Sequence, residues 1–401
     1  MKNIYDKCLK GLNTIMGGPW YGIIALMIVF VFLPLTYPVS YAQYFLLGSI
    51  GVLGVLALYM LTRPVFRKDR GLNIIILAFG LYVAWMVFLI LNGKPDRTTI
   101  VRFIQIAGCI VAFVCGATIG FTKRQMKIAR WAVKLILLAN GAVWVMQKMP
   151  LKQFSFLVRN TASYGTLLFC WVLFLLVDKK WTLTDWLAIA LGLFLLFVSS
   201  ARTSLLAALL TFFVILCFAR RSPNKKASRV LLILILLGCA GACLAFILMY
   251  AAPGYTKLGL YLNTLSRKYF GKNFYSGRHT LWNYLVEAIK AKPRFGYGLN
   301  VIPSDIVNIP LSAHNTFLQV ALQTGVTGLV LLMGVLGSIS GRLIQKRHAW
   351  FSVAGVACIA GILVHECFES CLVQNMLVAG LQMWFVMGLC LNETMKENNK
   401  E

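Results

Sequence analysis

The sequence predicts an all-α polytopic membrane protein, and three observations carry that prediction: recurrent apolar runs, a shortage of charge, and basic residues gathered in alternate loops. Apolar runs of roughly 14 to 21 residues recur along the whole chain. About 20 apolar residues at 1.5 Å rise cross a bilayer core. Of the 401 residues 59% are hydrophobic and 13% charged, where a soluble chain carries about 25% charged. The expected spans, about twelve, are 20–37, 42–62, 72–92, 103–121, 131–147, 164–177, 186–200, 203–218, 230–250, 325–341, 351–365 and 375–391. The first run follows a polar segment and lacks a small-residue cleavage site, so it reads as a retained helix rather than a signal peptide.

The net charge of +27 would suggest nucleic acid in a soluble protein; here its distribution is topogenic. With the N-terminus on the cytoplasmic side, 23 basic residues fall on inside segments and seven in the short outside loops, Arg159 and Arg202 among them. That asymmetry places both termini in the cytoplasm, and no nucleic-acid partner is expected. Most of the eleven cysteines lie in apolar spans, where a thiol is a small hydrophobe. Cys367 and Cys371, four apart on the outside, leave a bridge between them open. No zinc-type CxxC pairing is present.

One long polar stretch, residues 251–324, interrupts the spans with eight basic residues against Glu287 and Asp305. Long loops translocate regardless of charge, so it is expected outside. The chain thus divides into 1–250 (spans one to nine), 251–324 (an extracytoplasmic loop) and 325–401 (spans ten to twelve with a cytoplasmic tail). Two amphipathic helices are expected in the loop, lying in the interface or over the mouth of the bundle. The first follows Ser276 as N-cap and aligns Leu281, Trp282, Leu285, Ala288 and Ile289. Pro293 stops it, and Phe295-Gly296-Tyr297-Gly298 makes a tight turn. The second follows His314-Asn315, aligns Phe317, Leu318, Ala321 and Leu322, and ends on Gly325.

Spans seven and eight join almost without a loop, through Ser199-Ser200-Ala201-Arg202-Thr203-Ser204. Arg202 then heads a helix near the outer surface, where a cation opposes the helix dipole. Either an anion reconciles the two, or Arg202 snorkels to lipid phosphate.

These pieces together resemble the O-antigen ligase and polysaccharide polymerase superfamily. The resembling residues are Ser200-Ala201-Arg202-Thr203, Ser276-Gly277-Arg278, Pro293-Arg294-Phe295-Gly296-Tyr297-Gly298, and Ala313-His314-Asn315-Thr316-Phe317-Leu318 with Gly325 and Gly328. They span roughly residues 180–340, under half the chain. The resemblance implies a metal-independent glycosyltransferase without cofactor in the bacterial plasma (inner) membrane. Its donor is a glycan on undecaprenyl diphosphate. Its acceptor is lipid A-core, another lipid-linked repeat unit, or another envelope hydroxyl. By the same resemblance Arg202 and Arg278 bind the diphosphate and His314 activates the acceptor hydroxyl; Asn315 joins them as a binding residue.

The residue chemistry is compatible with that implication. A sugar diphosphate needs charge stabilisation of its leaving group, which two guanidinium groups supply best in a partly dry site. An alcohol acceptor needs one base near neutral pKa, and histidine fits. Displacement at the anomeric carbon inverts its configuration. No Asp-x-Asp pair for a divalent metal occurs on the outer face, so no metal is expected. His279 is a candidate second phosphate contact and Arg159 a weaker donor or acceptor contact. His348 is expected solvated in a basic cytoplasmic loop, His365 hydrogen-bonded beside Glu366, and Glu366 and Glu369 solvated at the outer end of span eleven.

Two other functions compete. Repeat-unit polymerisation shares the donor and the chemistry. A flippase for lipid-linked oligosaccharide suits twelve spans but not the missing internal repeats, and Lys134 is the one clear intramembrane charge, which provides no proton relay.

Overall fold

The computed structural model describes residues 20–36, 41–61, 70–149, 160–178, 181–219, 226–252, 254–270, 273–275, 278–307, 312–345 and 349–392. Among these residues the chain is all helix and turn, with no strand. The apolar helices are α1 (Trp20–Met27, continued by a π turn Ile28–Phe32 and by Leu33–Thr36), α2 (Ala42–Leu61), α3 (Arg70–Asn92), α4 (Arg97–Thr118), α5 (Lys123–Met146), α6 (Thr161–Leu176), α7 (Leu183–Val198), α8 (Arg202–Ala219) and α9 (Lys226–Tyr250). Then follow α10 (Lys257–Phe270), α11 (Arg278–Ala291), the short α12 (Pro303–Ile306), α13 (Thr316–Gln345), α14 (Ala349–Glu366) and α15 (Leu377–Leu391). Among the described residues six helices are long and apolar enough to cross a membrane, and six shorter apolar ones accompany them. The molecule is a polytopic membrane protein with about twelve spans.

Helix α3 is apolar on both faces. On α3, Leu72, Ile75, Phe79, Tyr82 and Met86 are buried at three- and four-residue spacing, while Ile74, Leu77 and Leu81 are exposed. A soluble protein would not leave such a face to water; lipid covers it.

Contacts divide the chain into two compact units: 1–68, 111–205 and 381–401; and 69–110 with 206–380. In the first, α6 is buried on every side from Tyr164 to Leu176. Here the structure corrects the sequence expectation of a single intramembrane charge. Helix α5 starts at Lys123, on a capping box between Thr122 and Gln125, well before its apolar run. Arg130 therefore sits inside the helix and is buried, not in a loop. One helical turn apart, Arg130 and Lys134 both reach the buried Asp185 of α7, at 3.0 and 2.6 Å.

In the second unit, α13 breaks at Gly325, whose φ of 72° and ψ of 175° are not helical. The break exposes three carbonyls, and each finds a donor. Tyr297 N–H reaches Leu322 at 2.9 Å and Gly298 N–H reaches Gln323 at 3.0 Å; Trp85 Nε1–H reaches Thr324 at 3.0 Å. Gly296 (φ 66°) belongs to the same turn, where a β-carbon would strike the backbone of Leu322 and Gln323. The tight turn at 295–298 and the terminal role of Gly325 are as the sequence predicts.

Helix α11 begins at Arg278 and buries Leu281, Trp282 and Leu285 as expected; Ser276 lies outside the described residues. Residues 316–324, expected amphipathic, are buried all round, including Gln319, Gln323 and Thr324. The polar side chains satisfy internal partners, as where Gln323 Nε2 donates to the Val301 carbonyl at 2.9 Å. A third loop helix, α10, was not legible in the sequence. Cys367 and Cys371 are both buried, and no disulfide joins them.

Candidate active site

The site forms where two segments distant in sequence are stitched together. Asn315 is fully buried. Its side-chain oxygen accepts the Leu318 N–H at 2.9 Å, capping the first turn of α13. Its amide nitrogen donates to the Cys367 carbonyl at 2.8 Å, and its backbone N–H donates to Ser370 Oγ at 2.9 Å. Thr316 N–H donates to the Glu369 carbonyl at 3.0 Å. Asn315, expected to bind substrate, thus has both ends of its amide engaged inside the protein.

Glu366 anchors the stitch. It is fully buried at the end of α14. One oxygen accepts Thr316 Oγ1–H at 2.5 Å and the N–H groups of Cys371 and Leu372 at 2.9 and 2.8 Å. The other lies 2.8 Å from His365 Nδ1, the hydrogen bond the sequence suggested. Neither Glu366 nor Glu369 is solvated as the sequence led one to expect. Helix α14 stops at Glu366 and the chain folds back beneath the 313–316 segment, which takes both carboxylates from water.

Glu369 presents its carboxylate to two side chains. One oxygen is 3.2 Å from His314 Nδ1, the other 3.7 Å from a terminal nitrogen of Arg278. The second terminal nitrogen of Arg278 donates to the Phe368 carbonyl at 2.9 Å. His314 and Arg278 keep 29% and 26% of their side-chain surface exposed, against 10% for Glu369, so the two recognised groups face outward from a carboxylate behind them. His314 is held at φ 45°, a backbone conformation uncommon outside glycine, and Trp282 Nε1–H fixes the preceding Ala313 carbonyl at 2.8 Å.

A carboxylate only accepts hydrogen bonds, so the neutral imidazole places its proton on Nδ1 and leaves Nε2 with a free lone pair. Arg278, first residue of α11, lies against the positive end of that helix. Glu369 answers part of the local positive charge, and an incoming anion would answer the rest.

The structure brings Arg278 and His314 together through one carboxylate. Of the other candidates in that unit, His279 has partners of its own. His279 Nε2 is 3.0 Å from the Gly254 carbonyl, to which it can only donate, and its ring packs on Tyr255 and Tyr275 at 4.9 Å. Arg202 heads α8 in the first unit, exposed, after Ser200 at φ 61°. Arg159 and His348 lie outside the described residues. Among the described residues no group of three or more His, Cys, Asp or Glu could hold a metal ion. Sequence reasoning missed the link through Glu369. Its signal was two acids and a histidine, His365, Glu366 and Glu369, closing an otherwise apolar run.

A second polar junction lies between α3 and α4. Asp96 caps α4 by accepting Thr99 N–H and Oγ1–H, both at 2.7 Å, and takes the Asn300 amide at 3.1 Å. The Thr99 hydrogen bonds hold its carboxyl below the usual aspartate range.

Residues 187–333 match the family model described as O-antigen ligase (Wzy_C). No curated protein matches the chain. The matched segment contains Arg202, Arg278 and His314, whereas Glu366 and Glu369 lie beyond it.

Proposed function

We propose that the chain is an O-antigen ligase-like glycosyltransferase of the bacterial inner membrane. It moves a glycan from undecaprenyl diphosphate to an acceptor hydroxyl on lipid A-core or another envelope glycan, on the extracytoplasmic face. The observation that carries this reading is the shared carboxylate of Glu369 between His314 and Arg278, two residues inside the segment that matches the ligase family.

In the reaction, His314 Nε2 takes the acceptor proton as the hydroxyl oxygen attacks the anomeric carbon. The bond from that carbon to the diphosphate oxygen breaks, and the electron pair leaves with the diphosphate. Arg278 receives the charge that develops there; from the resemblance alone, Arg202 is proposed as a further cation for the diphosphate. Glu369 keeps Nδ1 protonated and offsets the imidazolium that forms, as a carboxylate does behind other catalytic histidines. Attack opposite the leaving group inverts the anomeric configuration. A base of this kind contributes about 10²–10⁴-fold.

The test substitutes Arg202→Ala, Arg278→Ala and His314→Ala, confirms membrane insertion, and follows lipid-linked glycan by leaflet. Unreacted undecaprenyl diphosphate glycan should accumulate on the outer leaflet. Accumulation on the inner leaflet would favour a flippase, and transfer at the parent rate by all three variants would end the assignment. A repeat-unit polymerase shares donor, base and cations. Its loss leaves single repeat units on the final acceptor, whereas loss of a ligase leaves full-length chains on the carrier lipid.

A further inference from the structure

Helix α10 divides into three edges. One is packed: Gly259 is buried and leaves the room that the Tyr275 hydroxyl occupies, where a β-carbon would collide with it. On that edge Asn263 Oδ1 accepts the Phe274 N–H at 2.9 Å. The adjacent edge is apolar, with Leu258, Tyr261, Leu262 and Leu265 recurring at three- and four-residue spacing, which aligns them on one stripe. Its outer part is open: Leu258 is 58% and Tyr261 62% exposed, while Leu262 and Leu265 are half-buried. Beyond that stripe Lys257, Thr264, Arg267 and Lys268 are all exposed.

Helix α9, long and apolar enough to cross a membrane, ends at Tyr250, and only residues 251–256 separate it from α10. The stripe therefore emerges beside the lipid surface. Lysines flanking an apolar edge can reach headgroups from it, and tyrosines such as Tyr255 and Tyr261 are the side chains that settle at that depth. A second copy docked through this stripe would instead set one lysine edge beside another.

We propose that α10 is a membrane-surface helix. It lies between headgroups and acyl chains of the leaflet on the side of the 251–315 loop, with Leu258, Tyr261 and Leu265 among the chains and Lys257 and Lys268 at the phosphates of anionic lipid. This seating does not depend on the chemistry of the site. A consequence does rest on the transferase reading. The packed edge of α10 meets Tyr275, whose carbonyl accepts the Arg278 N–H at 3.1 Å and the Tyr250 hydroxyl, so the lipid-seated helix sets the height of Arg278 above the phosphate plane.

The test places single cysteines, Leu258→Cys, Tyr261→Cys, Thr264→Cys and Arg267→Cys, in the full chain. Each variant is reconstituted in nanodiscs of phosphatidylethanolamine and phosphatidylglycerol holding one chain per disc. A charged, membrane-impermeant maleimide should label the first two about tenfold or more slowly than the last two, with the parent chain as background. Equal rates overturn the proposal, because lipid is then absent from a residue the protein leaves exposed. Slow labelling of Leu258→Cys only in discs holding two chains also overturns it and identifies a second copy instead. A nitroxide on the 258 cysteine gives a second readout. It should relax faster with membrane-dissolved oxygen than with an aqueous nickel chelate, and the reverse order sinks the proposal without reference to thiol reactivity. Neither readout uses transferase activity.

Discussion

Glu369 stands 3.2 Å from the Nδ1 nitrogen of His314 although 55 residues separate them in the chain. The carboxylate enters from behind the exposed imidazole, which makes it an orienting group. Glu369→Gln keeps a carbonyl able to accept the Nδ1 proton but loses the charge that balances imidazolium and Arg278. Transfer should fall about 10- to 100-fold in kcat with little change in KM, and about 10³-fold for Glu369→Ala. Steady-state kinetics in proteoliposomes check this, and a Gln variant at parent kcat would remove Glu369 from the mechanism.

Glu366, also buried, serves differently. It accepts Thr316 Oγ1–H and two backbone N–H groups while facing His365. Glu366→Ala would remove the carboxylate that accepts the Cys371 and Leu372 N–H groups and leave Thr316 Oγ1–H the Glu369 carbonyl at 3.3 Å, in a dry place where each unmade bond costs about 1–3 kcal/mol. We expect a loss of the order of 3–5 kcal/mol, read as a lower thermal unfolding midpoint in detergent. Glu369→Ala, whose partners are partly exposed, should lower that midpoint far less. Equal losses would contradict the separate roles.

The spans were legible because the same apolar run that satisfies lipid also forms the helix, so pattern and structure coincide. Their ends were less so. Helices α4 and α5 begin at Arg97 and Lys123, because a hydrogen-bonded helix tolerates basic turns that hydropathy excludes. That is how Arg130 passed for a loop residue. Helix α10 was hidden because Gly259 and Asn263, its packing contacts, read in the sequence as loop residues. The motif around His314 and Arg278 was readable; Glu369 was not, since its role exists only once α14 ends at Glu366 and the chain turns back.

The hydrogen bonds of Asp96 give a pH dependence with a definite sign. Its folded pKa lies below the ordinary aspartate value, near 3.9 in an unfolded chain. The contribution is therefore complete above about pH 5 and is lost only as the pH falls through the folded pKa. Hydrogen-exchange protection at the start of α4 and around Asn300, corrected for the intrinsic pH dependence of amide exchange, should be flat from neutral pH to about 5 and fall in stronger acid. In Asp96→Asn that acid step should vanish, with faster exchange throughout. A step that persists in the Asn variant would assign it to another group.

The ion cluster of the first unit makes the last prediction. Asp185 is the acid closest to both Arg130 and Lys134, and all three are largely removed from solvent. Arg130 also donates to the Leu175 carbonyl at 2.9 Å and lies 3.9 Å from Asp178, so it keeps partners if Asp185 is lost. Lys134 keeps a hydroxyl, Thr184, at 2.9 Å. Asp185→Asn should therefore destabilise chiefly through Lys134, by about 3–5 kcal/mol, the usual result of stranding one member of a buried pair. Adding Lys134→Met removes the stranded charge and should recover most of the loss. Thermal unfolding of the single and double variants measures that coupling, and simple additivity would show that Lys134 and Asp185 do not depend on one another.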